Sequence, residues 1–269
     1  MTDHTPPVQT PAALEPAHQL TPTRALQWIA RGWTLFMKAP VVWMIQTLIV
    51  FVVLTALSLL PLLGWAAAPI ALPLLVAGML SGAQVVDRGE ALRIDHLFDG
   101  IRRHPGPLLM VGSFHLLGAL LAALVAVAIS GSAVLTGMVV GALPGVGVAT
   151  AGVMFGALVF SVLWALLMMA LWFAPALVML DGLAPLAAAS LSVRAWFANL
   201  LTFIVLAGLL YVLTWVAMLP AGLGMLLLTP VMTCAMYASW QDTFVPRLAL
   251  PGPPTDVPAT TTPPPANDS

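Results

Sequence analysis

Residues of the catalytic types are few in this chain, and they form no complete catalytic pattern. The run Asp99-Gly100-Ile101-Arg102-Arg103-His104 begins like DGxxAR…GxxxDxxxD, the metal-binding acidic motif of lipid-modifying membrane enzymes. Arg103 and His104 stand where that motif needs Ala and Arg, and no acid pair follows on the next helix. The GxSx and HExxH patterns of intramembrane proteases are absent from the sequence. We therefore expect a protein that is not an enzyme and that holds no metal or cofactor.

Four polar side chains lie within long apolar stretches, where each is a candidate for contact with a ligand. The first is His115, and an ionisable residue inside a membrane is a functional hypothesis by default. The others are Gln46, Gln84 and Tyr237, which could equally join helices through hydrogen bonds of about 0.6 to 2 kcal/mol. Both interpretations stay open for all four. The apolar stretches hold no carboxylate, which disfavours a proton-coupled or ion-coupled pump.

The composition of the chain is that of a membrane protein. Of its 269 residues, 61% are hydrophobic and 7% are charged, and the mean hydropathy is +1.02. Soluble domains have about 45–50% apolar and about 25% charged residues. A soluble enzyme, a nucleic-acid binder and a disordered regulator are therefore disfavoured. The single cysteine excludes an internal disulfide.

Six apolar stretches predict an all-α, polytopic membrane protein with six transmembrane helices in three hairpins. A helix needs about 20 apolar residues to cross about 30 Å of hydrocarbon. The stretches are residues 41–60, 66–86, 108–130, 150–180, 200–219 and 221–241. Residues 131–148 are also apolar, but glycines and Pro144 interrupt them. We expect a surface or re-entrant loop there.

The positions of the charges predict the orientation of these spans. With six spans, all 9 Lys and Arg residues and all 10 acidic residues fall on one side of the membrane. The loops on the opposite side, near residues 61–65, 131–148 and 220, carry no charge. Because Lys and Arg are strongly biased to the cytoplasmic side, we expect both termini to be cytoplasmic.

A short amphipathic segment before each odd-numbered span predicts a helix that lies in the headgroup plane. In the first segment the apolar face is Leu26, Ile29, Trp33, Phe36 and Met37, opposite Arg24, Gln27, Arg31, Thr34 and Lys38. In the second it is Ile94, Leu97, Phe98 and Ile101, opposite Asp95, Asp99, Arg102 and Arg103. In the third it is Leu186, Ala189, Val193 and Phe197. The chain thus consists of three similar units, through either internal repetition or the shared constraints of helical hairpins.

The cations of these segments are candidates for contact with anionic lipid headgroups. Each contributes about 1 kcal/mol at the surface of an anionic membrane. The candidates are Arg31, Lys38, Arg102 and Arg103. Acidic neighbours oppose this attraction in the second segment, where Asp99 can pair with Arg102 or Arg103 at helical spacing.

The two ends of the chain differ from the region between them. Residues 1–23 and 246–269 are rich in Pro and Thr, which predicts disordered cytoplasmic tails. The membrane domain is predicted between them, over residues 24–245. Within it, the small-residue pairs Gly78/Gly82 and Gly152/Gly156 allow helices to approach closely, either within the chain or between two copies.

Several motifs of this domain resemble a known family. They are the run from Trp28 to Phe36, then Ala39-Pro40 and Trp43, Pro175, residues 190–199 and residues 237–244. In these the chain resembles an uncharacterised proteobacterial family of six-span inner-membrane proteins. More distantly, it is similar to the membrane domain attached to some glycerophosphoryl diester phosphodiesterases. The resemblance covers residues 24–245 and implies a bacterial inner-membrane location and helical hairpins, but no activity.

Two functional interpretations remain. The first is a non-enzymatic membrane protein with a scaffold, envelope-homeostasis or interaction role that works through its cytoplasmic side. The alternative is a transporter or lipid-handling channel for a small or amphipathic solute, in which kinked spans and His115 line the path. The expected partners are membrane lipids and a further protein or a second copy of the chain, and no nucleic acid.

Overall fold

The computed structural model describes residues 20–61 and 63–244, and every regular element in that part of the chain is helical. A 3-10 turn covers Ile94–Phe98. The helices are α1 (Arg24–Lys38), α2 (Pro40–Ser58), α3 (Gly64–Asp87), α4 (Asp99–Arg103), α5 (Pro105–Val140), α6 (Ala142–Trp172), α7 (Ala174–Asp181), α8 (Pro185–Ala198), α9 (Leu200–Met218) and α10 (Met225–Phe244). The predicted disordered tails fall almost entirely on residues 1–19 and 245–269, which lie outside the described residues.

Five helical segments are long and apolar enough to cross a membrane. They are Pro40–Ser58, Ala66–Asp87, Pro105–Val140, Pro144–Asp181 and Leu200–Met218. These segments overlap the first five predicted stretches. The all-helical fold is therefore confirmed, together with five of the helices that the sequence predicts to be transmembrane.

The sixth predicted span corresponds to α10, which has a different character. This helix is not among the segments apolar enough to span a bilayer, because Gln241, Asp242 and several hydroxyl-bearing residues lie along it. Most of its second half is buried, and it packs along α1. The structure thus places α10 among other helices, and the six-span arrangement stays a prediction.

The predicted loop at residues 131–148 is wrong. Helix α5 continues to Val140, and α6 begins at Ala142 after the single residue Gly141, whose φ of 105° favours glycine. A helix satisfies its own backbone hydrogen bonds in apolar surroundings, whereas a lipid-exposed loop does not. Two of the glycines permit close helix contact, because the α5 backbone at Gly137 approaches the α6 backbone at Gly145 too closely for side chains.

Helices α5 and α6 are much longer than the others and pack mainly against each other. With 36 and 31 residues, they extend about 54 Å and about 46 Å at 1.5 Å per residue. The 19-residue helices α2 and α9 extend about 28 Å on the same scale. Gly152 and Gly156 face Ala133 and Ser130 across this helix pair, so the second small-residue pair acts within the chain.

Helix α1 has three faces instead of the two predicted. Its buried face, which packs on α10, consists of Ala25, Trp28, Gly32, Leu35 and Phe36. At 100° per residue, this face lies between the cationic face and an apolar stripe that stays exposed. The stripe includes Leu26, Trp33 and Met37, which are 56%, 45% and 53% exposed. The predicted apolar face is therefore mostly this exposed stripe.

The other two amphipathic segments also differ from the prediction. The second is a 3-10 turn followed by the short α4, in which Ile94 and Ile101 are exposed and Asp99 is buried. Its register is set by glycine contacts, since Gly78 of α3 lies against the backbone of Leu97. The third segment is α8, which buries Ala188, Ser192, Ala195 and Trp196. Leu186 and Phe197 of its predicted apolar face are exposed.

A polar contact from α8 stabilises the break between α6 and α7. Pro175 lacks a backbone N–H and stands in the first turn of α7. The Ser192 hydroxyl oxygen accepts a hydrogen bond from the backbone N–H of Phe173 at 3.2 Å. The same hydroxyl donates to the carbonyl of Met169 at 2.6 Å. Ser192 thereby bridges the N–H of Phe173 and the carbonyl of Met169, which would bond directly to each other in an unbroken helix.

We expect Gly32→Ala to destabilise the protein by about 1–3 kcal/mol, as overpacking does. A Cβ atom at position 32 would lie 2.6 Å from the carbonyl oxygen of Val231, so α1 must move away from α10. Gly131→Ala is the matched control, because nothing lies within 4 Å of a Cβ atom there. Thermal unfolding in detergent micelles measures both variants. Equal melting temperatures for the two would contradict the close α1–α10 contact.

Candidate functional site

The densest group of polar contacts lies where α3, α7 and α10 end. Asp87 and Asp181 are the last residues of α3 and α7, and Asp242 lies in the last turn of α10. We call these three residues the terminal carboxylates. Each accepts hydrogen bonds from aromatic, amide or guanidinium groups, and the last two turns of α10 contribute to all three sites.

Asp87 has the most donors of the three. Its Oδ1 accepts from Nη2 of Arg31 at 3.0 Å. Its Oδ2 accepts from the Tyr237 hydroxyl at 3.2 Å and from Nε2 of Gln241 at 2.9 Å. Lys38 lies beside this site and donates from Nζ to the carbonyl of Val86 at 3.3 Å. Asp87 therefore joins α1, α3 and α10 at one point.

Indole N–H groups bind the other two terminal carboxylates. Nε1 of Trp28 donates to Asp242 at 2.8 Å, and Nη1 of Arg24 lies 3.4 Å from the same Oδ2 atom. Nε1 of Trp240 donates to Asp181 at 2.8 Å. These bonds join the beginning of α1 to the end of α10, and the end of α10 to the end of α7.

A cluster of aromatic rings packs beside these hydrogen bonds. Phe203 of α9 stacks on Trp28 and Trp196, with ring centroids 5.5 Å and 4.8 Å away. Phe173 meets Phe203 edge-on at 5.6 Å and Phe244 edge-on at 5.1 Å. The indole of Trp28 thus contributes its ring to the apolar core and its N–H to Asp242. Such a bifunctional role is typical of buried tryptophan.

Leu20, which precedes α1 in the chain, is also hydrogen-bonded at this end of the helix bundle. The Thr202 hydroxyl donates to the carbonyl of Leu20 at 2.7 Å, and the N–H of Leu20 donates to Oδ1 of Asn199 at 2.8 Å. The chain is therefore fixed to the start of α9 four residues before α1 begins.

Arg102 and Arg103, which lie between α3 and α5, pair with carboxylates of their own segment and form a separate group of charged contacts. Arg103 pairs with Asp99 at 3.4 Å, and the buried Asp99 also accepts from the Ser81 hydroxyl at 2.8 Å. Arg102 lies 4.0 Å from Asp95. Arg102 and Arg103 are each 58% exposed, and both have acidic neighbours that compete with lipid. Their contact with headgroups, like that of Arg31 and Lys38, stays a prediction.

The structure does not bring the four intramembrane candidates together. Tyr237 belongs to the Asp87 site. Gln46 is fully buried and donates from Nε2 to the carbonyl of Arg93 at 3.0 Å, so it joins α2 to the loop. Gln84 is half-buried on α3. His115 is half-buried on α5, with its ring centroid 5.8 Å from that of Trp164, and it lines an apolar cavity.

The terminal carboxylates are not among the functional residues that the sequence predicts. The sequence does contain a signal for them, because Asp87, Asp181 and Asp242 each directly follow an apolar stretch whose end is predicted on the cytoplasmic side. Hydrogen bonds between Trp28 and Asp242, 214 positions apart, cannot be read from local spacing.

The donors at these carboxylates favour a structural role for them. Among the described residues, no group of three or more His, Cys, Asp or Glu side chains is placed to hold a metal ion. No protein-family model, curated protein or solved structure matches the chain. The family resemblance therefore stays a prediction.

We expect Asp87→Ala to destabilise the protein by about 1.5–3 kcal/mol, the usual value for hydrogen bonds to a charged group. The change leaves Tyr237 and Gln241 without their acceptor and releases α1 from the end of α3. Asp95→Ala is the matched control, because Asp95 is 43% exposed and surface pairs contribute about 0–1 kcal/mol. Unfolding of both variants in detergent tests this, and a loss as small as the control's would contradict the structural role of Asp87.

Proposed function

We propose that the protein is a non-enzymatic scaffold of the bacterial inner membrane, with the terminal carboxylates and α1 on the cytoplasmic side. The observation that carries this proposal is the exposed apolar stripe of α1, held outward by fixed contacts on the opposite faces of the helix. Leu26, Trp33 and Met37 form the stripe, while Trp28 and Arg31 are bound to Asp242 and Asp87. A helix with this arrangement is suited to contact protein, water and lipid at once.

Lipid is the natural cover for the stripe. An amphipathic helix in the interfacial plane buries its apolar side among headgroups and acyl chains. Leu186 and Phe197 give α8 a similar exposed apolar side. Two helices of this kind at the charged end would hold that end at the membrane surface.

The polar side of the same helices supplies the surface for a partner. Gln27 and Thr34 of α1 are exposed, and Arg194 of α8 is exposed as well. Within the described chain, Arg88 and Arg194 make no ion pair. These cations favour a cytoplasmic partner that carries acidic side chains, or a second copy of the chain through its own acids. A nucleic acid is not expected, because the net charge is -1.

Site-specific photocrosslinking tests the scaffold role. We expect a photoreactive residue at Gln27, on the polar face of α1, to give a discrete protein adduct in native membranes. The matched control is the same residue at Leu121, on the exposed side of α5, where only lipid adducts are expected. Lipid adducts alone at Gln27 would contradict the scaffold proposal. Turnover of a lipid headgroup by the purified protein would contradict its non-enzymatic character.

Cysteine labelling tests the orientation. The native Cys234 is buried, so a cysteine introduced elsewhere is labelled against a low background. We expect the Arg194→Cys variant to react with a membrane-impermeant maleimide only after the inner membrane is opened. Val139→Cys, at the far end of α5, is the opposite-side control and should react from outside. The reverse pattern would show that the proposed orientation is inverted.

A further inference from the structure

An apolar cavity of about 160 Å³ lies between α3, α5, α10 and the break that separates α6 from α7. It is partly open at the side of the bundle. Most of its lining is aliphatic or thioether, from residues such as Val76, Met168 and Met236. His115 is the one imidazole in the wall, and no charged residue lines the cavity.

Prolines explain why the helices leave this space. Pro73 lies within α3, and Pro175 lies just after the α6–α7 break. Both residues line the cavity. Proline removes a backbone hydrogen bond and bends or ends a helix, so neighbouring helices diverge beside it. The prolines of two of its four walls, α3 and the α6–α7 break, therefore account for the cavity.

His115 lacks a hydrogen-bond partner in the described part of the chain. Its ring lies tilted at 58° to that of Trp164 on α6, with the ring centroids 5.8 Å apart. An unpaired polar group in hydrocarbon is costly, and polar residues in spans usually bond to a neighbouring helix. Here the imidazole stands at the wall of a cavity, so a molecule in the cavity can supply the missing partner.

The size of the cavity limits what can enter it. An apolar cavity of about 150 Å³ accommodates one benzene molecule, so this one accommodates a single six-membered ring. The thioethers of Met168 and Met236 and the indole of Trp172 also line the wall, and sulfur and aromatic groups contact rings favourably. A charged phospholipid headgroup is too large and would find no counter-charge among the lining residues.

We infer that the cavity binds the ring of an uncharged, membrane-soluble carbonyl compound, such as a quinone, whose apolar tail extends sideways into the lipid. The N–H of the neutral His115 imidazole donates to the ring carbonyl. A plain acyl chain would leave this donor unpaired, which is why the ring carbonyl is the better occupant. The site is separate from the terminal carboxylates and does not depend on the scaffold role. For the alternative function, a lipid-handling channel, this site specifies the class of ligand.

Photolabelling with a short-tailed azidobenzoquinone, in lipid nanodiscs that hold the full-length protein, tests this inference. We expect label on peptides that contain His115 and residues 168–175. The Val76→Phe variant fills the cavity and should reduce labelling at least tenfold, with Leu72→Phe as a second filling variant. His115→Leu should weaken binding about fivefold to tenfold, the value of one neutral hydrogen bond, and His115→Gln should restore part of it. Leu121→Phe, on the exposed side of α5, should label like the unmodified protein.

Three results would overturn the inference. One is equal labelling of the filling variants, provided that they keep a cooperative unfolding transition. Another is competition by an alkyl diazirine without a ring that is as effective as competition by the quinone. The third is the absence of label from both peptides. None of these results bears on the Gln27 crosslink, so the ligand site and the scaffold role fail independently.

Discussion

The structure depends on the hydrogen bonds that hold three carboxylates at or near the ends of helices in a very apolar protein. A carboxylate leaves water only when donors replace its hydration. Here the donors come from residues that also build the core, since Trp28, Tyr237 and Trp240 each contribute an aromatic ring and one hydrogen bond. The same bonds fix α1 against α3 and α10. Its orientation, with the apolar stripe outward, is a consequence of where these acids lie.

Sequence reasoning was most successful where a single physical property decides the outcome. Long uncharged stretches became helices because apolar surroundings leave no other way to satisfy the backbone. The same principle overrode the glycines of residues 131–148, which predict a loop in water, and two of them, Gly137 and Gly145, permit close helix contact here. The faces of α1 and α8 were harder to predict. Their buried sides include Ala25, Gly32 and Ala188, whose small side chains pack closely but add little to a hydrophobic pattern.

The candidate sites also divide into features that the sequence predicts and features that depend on packing between distant parts of the chain. His115 was predicted as a polar residue in an apolar stretch, and the structure places it at a cavity wall. The cavity itself could not be predicted, because four walls that are distant in the chain enclose it. Asp99 was predicted on a solvated face, but Gly78 and Gly100 bring its segment so close to α3 that Ser81 becomes its partner. Contacts between backbones, rather than side-chain periodicity, decided that outcome.

The excess length of α5 and α6 has a consequence for the membrane itself. Helix α5, which is about 54 Å long, fits within a hydrocarbon layer of about 30 Å only when it tilts by roughly 55°. This tilt is beyond the common range of about 0–40° for transmembrane helices. The alternative is a locally thickened bilayer around the pair. Either response has an elastic cost that falls as the lipid layer thickens. The protein should therefore accumulate in the thickest regions of its membrane and draw longer-chain lipids around this helix pair.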